Sequence, residues 1–128
     1  MNGYEQSRAI TGALADLAED GGGTYEARSL AKVKPTSGYA VGLGGITLPA
    51  NTVNAEALAW AMDAVAHGYD TDYVGTWLSD GVIFIDAVVL MPDLREAMAL
   101  ALNHGQEAIY DFLSGESLEV DAYWAADA

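Results

Sequence analysis

A chain of 128 residues with 52% apolar, 19% charged and 9% aromatic content has the length and composition of one globular domain, which excludes global disorder. It contains no cysteine, so disulfides, thiolate metal sites and thiol nucleophiles are excluded together. The net charge is −14, of which residues 1–34 carry −1 and residues 35–128 carry −13; such a field repels phosphate backbones and anionic leaflets and argues against direct nucleic-acid or membrane binding.

Met1-Asn2-Gly3-Tyr4-Glu5-Gln6 lacks the basic start of a secretory leader. The longest apolar run, Val82 to Leu90, is interrupted by Asp86 and falls far short of the roughly 20 residues of a membrane span, so a cytoplasmic protein is expected. Tyr4 to Glu19 sets Ile10, Leu14 and Leu17 on one face and predicts a helix, which Gly21-Gly22-Gly23 is expected to break as a flexible joint. Tyr25 to Lys34 alternates charged Glu26, Arg28, Lys32 and Lys34 with Tyr25, Ala27, Ala31 and Val33, the pattern of a strand with one wet face. Pro35-Thr36-Ser37-Gly38 reads as a turn, followed by a strand over Tyr39 to Leu48 that should be irregular at Gly44-Gly45.

Asn54 is placed to cap a helix with Glu56 in its first turn and Leu58, Ala61, Met62 and Val65 as its apolar stripe, stopped by His67-Gly68. Tyr73 to Leu78 and Val82 to Leu90 flank Ser79-Asp80-Gly81, which predicts a hairpin. Asp93 with Glu96 three residues on predicts the start of a helix that buries Leu94, Ala97, Met98, Ala101 and Leu102 and stops at His104-Gly105. Strands over Glu107 to Leu113 and Ser117 to Val120 complete the chain, with residues 121–128 as a frayed tail. The expected organisation is a single α+β domain: an N-terminal helix and glycine joint over 1–24, then a core over 25–120. From Tyr39 the order β-α-β-β-α-β is that of a ferredoxin-like unit, an antiparallel sheet with two helices on one face.

Chemistry-bearing residues are few. His67 and His104 each precede a helix-ending glycine, where an imidazole caps the last carbonyls, and no metal-ligand spacing surrounds them. Asp86 lies among Ile83, Phe84, Ile85, Ala87, Val88 and Val89. On a core face it would need a raised pKa or a partner such as Arg95; the reading preferred here is a solvated or edge position. The carboxylate pairs Asp70 with Asp72, Glu107 with Asp111, and Glu116 with Glu119 show no contrast of environment of the kind that acid–base catalysis needs. Neither glycine-rich segment ends in the Lys-plus-hydroxyl of a phosphate loop, and no nucleophile elbow occurs. No cofactor, metal or catalytic residue is therefore expected. Aromatics are more suggestive: Trp60 lies off its helix stripe, Trp77 lies opposite the apolar side of its strand, and Tyr123-Trp124 sit in the polar tail, all residue types that anchor interfaces.

Gly75-Thr76-Trp77-Leu78-Ser79-Asp80-Gly81, Phe84-Ile85-Asp86, Leu94-Arg95-Glu96-Ala97, Asn103-His104-Gly105-Gln106-Glu107-Ala108-Ile109-Tyr110-Asp111 and Ser114-Gly115-Glu116 together resemble a recurring pattern in small accessory proteins of actinobacterial phages. The resemblance covers residues 73–120 and brings no catalytic positions. It implies a phage-encoded accessory protein in the host cytoplasm. The leading expectation is a non-enzymatic acidic protein that binds or inhibits a host protein with a basic or neutral surface, at the extreme by mimicking DNA. Its candidate interaction residues are Trp60, Trp77, Tyr123 and Trp124 among the aromatics and Asp70, Asp72, Asp86, Glu107 and Asp111 among the acids. A homodimer through Trp60 or the tail is a further expectation. The alternatives are a small-molecule-binding or enzymatic domain with Tyr39, Asp86 and Tyr110 around a pocket, and a virion or assembly component.

Overall fold

The computed structural model describes residues 3–120, so the expected tail, with Tyr123 and Trp124, lies outside the described residues. The elements in chain order are α1 (Gly3–Asp20), β1 (Gly22–Glu26), β2 (Lys32–Val33), β3 (Tyr39–Pro49), a 3-10 turn (Ala50–Thr52), α2 (Ala55–Tyr69), β4 (Tyr73–Ser79), β5 (Val82–Met91), α3 (Leu94–Asn103), β6 (Ala108–Asp111) and β7 (Glu116–Glu119). The class is α+β. The strands form an antiparallel sheet in the order β2-β1-β4-β5-β3-β6-β7. Among the described residues no helix is long and apolar enough to cross a membrane.

The chain gathers into two compact units, residues 1–33 with 44–87 and residues 34–43 with 88–128, so that β3 and β5 each have residues in both. In the first unit α1 and α2 pack on each other and on the sheet, α1 over β1 and α2 over β4. On α1 Ile10 and Leu17 of the expected stripe are buried, with Ala13 rather than Leu14 fully buried between them, and on α2 the expected Leu58, Ala61, Met62 and Val65 are all buried. From the strands of the same unit Tyr25, Val74, Thr76, Ile83 and Ile85 are buried as well. In the second unit α3 places Ala97, Met98 and Ala101 against Val41 of β3 and Ile109 of β6. Asp93 caps α3 by accepting from Glu96 N at 2.9 Å, and Asn54 caps α2 by accepting from Ala57 N at 2.8 Å. The helices packed on each other are thus α1 and α2, and α3 belongs to the other unit.

Three local expectations are corrected. The glycine triplet is no joint: Gly22 and Gly23 begin β1 and pair with Trp77 and Thr76, and at Gly22 the strands lie so close that a Cβ would stand 1.9 Å from Thr76 O. The single strand expected over Tyr25 to Lys34 is instead β1 and β2 joined by a turn, closed by Leu30 N donating to Glu26 O at 2.9 Å. Leu30 takes a φ of 60° there, a cost offset by burying its side chain. Finally, α2 runs through His67-Gly68 to Tyr69 and ends at Asp70, whose φ of 50° is a conformation Asp tolerates. Tyr69 holds this last turn by packing on Gly44.

Candidate interaction surface

The β4–β5 hairpin is the element from which the strongest surface is built. Asp80 and Gly81 form its two-residue loop with φ of 50° and 78°, the doubly left-handed turn whose twist matches the flanking strands. Alternation then sorts the side chains. Val74, Thr76, Ile83 and Ile85 are buried on the face under α1 and α2, while Trp77, Phe84 and Asp86 point the other way. Trp77 is 47% exposed and Phe84 38%. A two-residue loop places Trp77 across from Phe84 and Gly75 across from Asp86.

Asp86 is consequently flanked by backbone rather than by side chains. Gly75 lies on one side, itself paired with Thr24 of β1. On the other lies Gly45 of β3, where a Cβ would stand 2.9 Å from Asp86 Cα and only 1.8 Å from Ile85 O. The irregular step expected in β3 is real: Gly44 has a φ of 120°, and Gly45 approaches β5 more closely than any side-chain-bearing residue allows. The neighbouring chain takes water from Asp86, and this burial pushes its carboxyl above the ordinary 3.8. The preferred reading of Asp86 as simply solvated is therefore corrected: it is half-buried, and burial, not the alternative Arg95 pair, sets its proton affinity. No hydrogen bond or ion pair engages it among the described residues. Because no fully buried side-chain oxygen there lacks a partner, its oxygens keep contact with water.

The other candidates are not gathered with this surface. Trp60, 63% exposed, stands on the outer side of α2 near Asp63 and His67. His67 Nδ1 lies 2.9 Å from Asp63 O, a contact along its own helix. Asp70 is the C-cap of α2, and Asp72 uses its carbonyl to accept from Ala27 N at 2.8 Å. In the second unit the Glu107 carbonyl accepts from Val120 N, and Asp111 accepts from Leu113 N and Ser114 Oγ at 3.0 Å each, ordering its own turn. That unit also carries an open groove of about 400 Å³, lined among others by Tyr39, Met91, Pro92, Phe112 and Leu113. It takes in Tyr39 of the expected pocket residues, but neither Tyr110 nor Asp86. Among the described residues no cluster of three His, Asp or Glu side chains could hold a metal ion.

Sequence reasoning missed Phe84, which the strand alternation could have supplied, and a polar chain in the first unit that it could not. Tyr25, 1% exposed, donates its hydroxyl to Asp16 Oδ2 at 2.5 Å, and Lys32 Nζ donates to Asp16 Oδ1 at 2.8 Å. Thr76 Oγ1 accepts from Gly23 N at 3.2 Å beside them. Every group has a partner, and the chain ties α1 to β1 and β2. Comparison with protein-family descriptions, with curated proteins and with solved structures finds no match to this chain.

Proposed function

We propose that this chain is a non-enzymatic acidic interaction protein, encoded by a phage, that engages a host protein with a basic or neutral surface in the host cytoplasm and inhibits it. The observation that carries the reading is the pair of exposed aromatics Trp77 and Phe84 standing beside the carboxylate of Asp86, which has no partner among the described residues, in a chain of net charge −14. Large rings left in water on a β-hairpin are the anchors an interface needs, and the surrounding field draws a cationic surface towards them. Occupying a basic groove with carboxylates displaces phosphates from it, and DNA mimicry is the limiting form of the same competition. The finer architecture proposed with it is a ferredoxin-like core, supported by the neighbours β4-β5-β3-β6 in the sheet, the order in which such a split unit interleaves its strands.

The test is capture from host lysate with the tagged chain at low and high salt, repeated with Trp77→Ala. A host protein retained at low salt, released by salt and lost with the variant is the expected result. Retention indifferent to both salt and Trp77 refutes the proposal. The groove of about 400 Å³ favours a second reading, a small-molecule-binding domain, which a reproducible ligand-induced rise in melting temperature would establish in its place.

A further inference from the structure

We infer that the face of the β4–β5 hairpin carrying Trp77, Phe84 and Asp86 is a seat for one arginine side chain of a basic protein partner, the guanidinium lying against the rings and bonding the Asp86 carboxylate. The inference rests on the interaction-protein reading and specifies its chemistry. Phe84 and Asp86 are two residues apart on β5 and so share a face, with Trp77 diagonal to Asp86 across the hairpin and within reach of a long side chain. Gly75 and Gly45, on either side of Asp86, leave its flanks without side chains that would block an approaching planar group. The Trp77 ring leans towards β1, its Cζ3 lying 3.9 Å from where a Gly21 Cβ would be, so glycine backbone supports the indole, which remains 47% exposed.

Three features select the occupant. Among the described residues the carboxylate has no partner, yet it keeps contact with water, so a donor can reach it. A second copy of this chain would bring a further −14 against the same face, which disfavours self-association there. An ammonium would satisfy the charge, but a guanidinium also stacks on aromatic faces and bonds a carboxylate through two parallel donors, and it gives up its hydration more readily.

The experiment uses the full chain and acetylated arginine amide as probe, with acetylated lysine amide and acetylated citrulline amide beside it, followed by NMR of the Trp indole and backbone amides. The expected result is that arginine binds several-fold more tightly than lysine, that citrulline does not bind, and that shifts centre on Trp77 and residues 84–86. Asp86→Asn and Trp77→Ala should each weaken arginine binding by about tenfold, whereas Glu119→Gln, in the other unit, should leave it unchanged. Equal binding by wild type and Asp86→Asn, or shifts spread evenly over the acidic surface, overturns the inference. Lysate capture distinguishes the two levels. If a salt-sensitive partner is retained equally by Asp86→Asn, the seat is wrong and the interaction reading stands; if the probe binds as expected and no partner is captured, the reverse holds.

Discussion

Tyr25→Phe removes a single oxygen atom from the interior of the first unit and so measures what the polar chain contributes. The ring, 1% exposed, keeps its packing, while the lost hydroxyl takes with it the 2.5 Å bond to Asp16. Asp16 retains Lys32 at 2.8 Å and its charge is not stranded. The cost is therefore that of one hydrogen bond to a charged group, about 1.5–3 kcal/mol. Burial, then the hydrogen bond and charge of Asp16, raise the Tyr25 pKa well above its ordinary 10.0. The unfolded chain releases this proton near pH 10 and the folded chain keeps it, so the stability Tyr25 contributes is complete below pH 10 and is lost as pH rises further. The loss is about 0.4 kcal/mol at pH 10 and about 1.4 kcal/mol at pH 11. Urea unfolding of both proteins at pH 7, 10 and 11 should show the wild-type advantage shrinking by those amounts. An advantage that is absent at pH 7, or that stays constant to pH 11, refutes the buried Tyr25–Asp16 bond.

Asp86→Asn should raise the melting temperature at pH 7, because burial raises the folded pKa and the charged form is the less favourable one there. The gain should fade as pH drops through the folded pKa and vanish below the ordinary 3.8, and a variant no more stable than wild type at neutral pH contradicts it. Gly45→Ala must push β3 away from Ile85 O, now 1.8 Å from the would-be Cβ, and should cost about 3 kcal/mol by chemical denaturation. Asp93→Ala deprives Glu96 N of its acceptor and should cost about 1 kcal/mol, with Asp93→Asn recovering most of it. Met62→Ala, at a fully buried position, should cost about 2–5 kcal/mol.

What was legible in the sequence was local. The stripe Leu58-Ala61-Met62-Val65, the caps Asn54 and Asp93, and the Asp80-Gly81 turn each depend on residues within one or two turns of chain, and each forms as read. The failures lie where a distant partner decides. Gly22 and Gly23 have little strand propensity and become strand because β4 offers them a ladder more than fifty residues on. Alternation over Tyr25 to Lys34 could not reveal the Leu30 turn, since Val33 folds back beside Thr24 rather than continuing the strand. For Asp86 the period of two identified a pair of faces but could not say how much of either is covered, because that is decided by tertiary contacts.

The division of β3 and β5 between two units has a consequence for how the chain is made. Residues 1–33 cannot complete their unit until residue 87 has left the ribosome, about 3 to 10 seconds later at ordinary elongation rates. Throughout that interval Ile10 and Leu17 have no finished layer to cover them, and residues 34–43 are waiting for a still later stretch. No single cut yields two self-sufficient halves, so nascent chains halted before residue 87 should be conspicuously open to proteases and dependent on chaperones, and their first unit should become resistant once residue 87 has emerged.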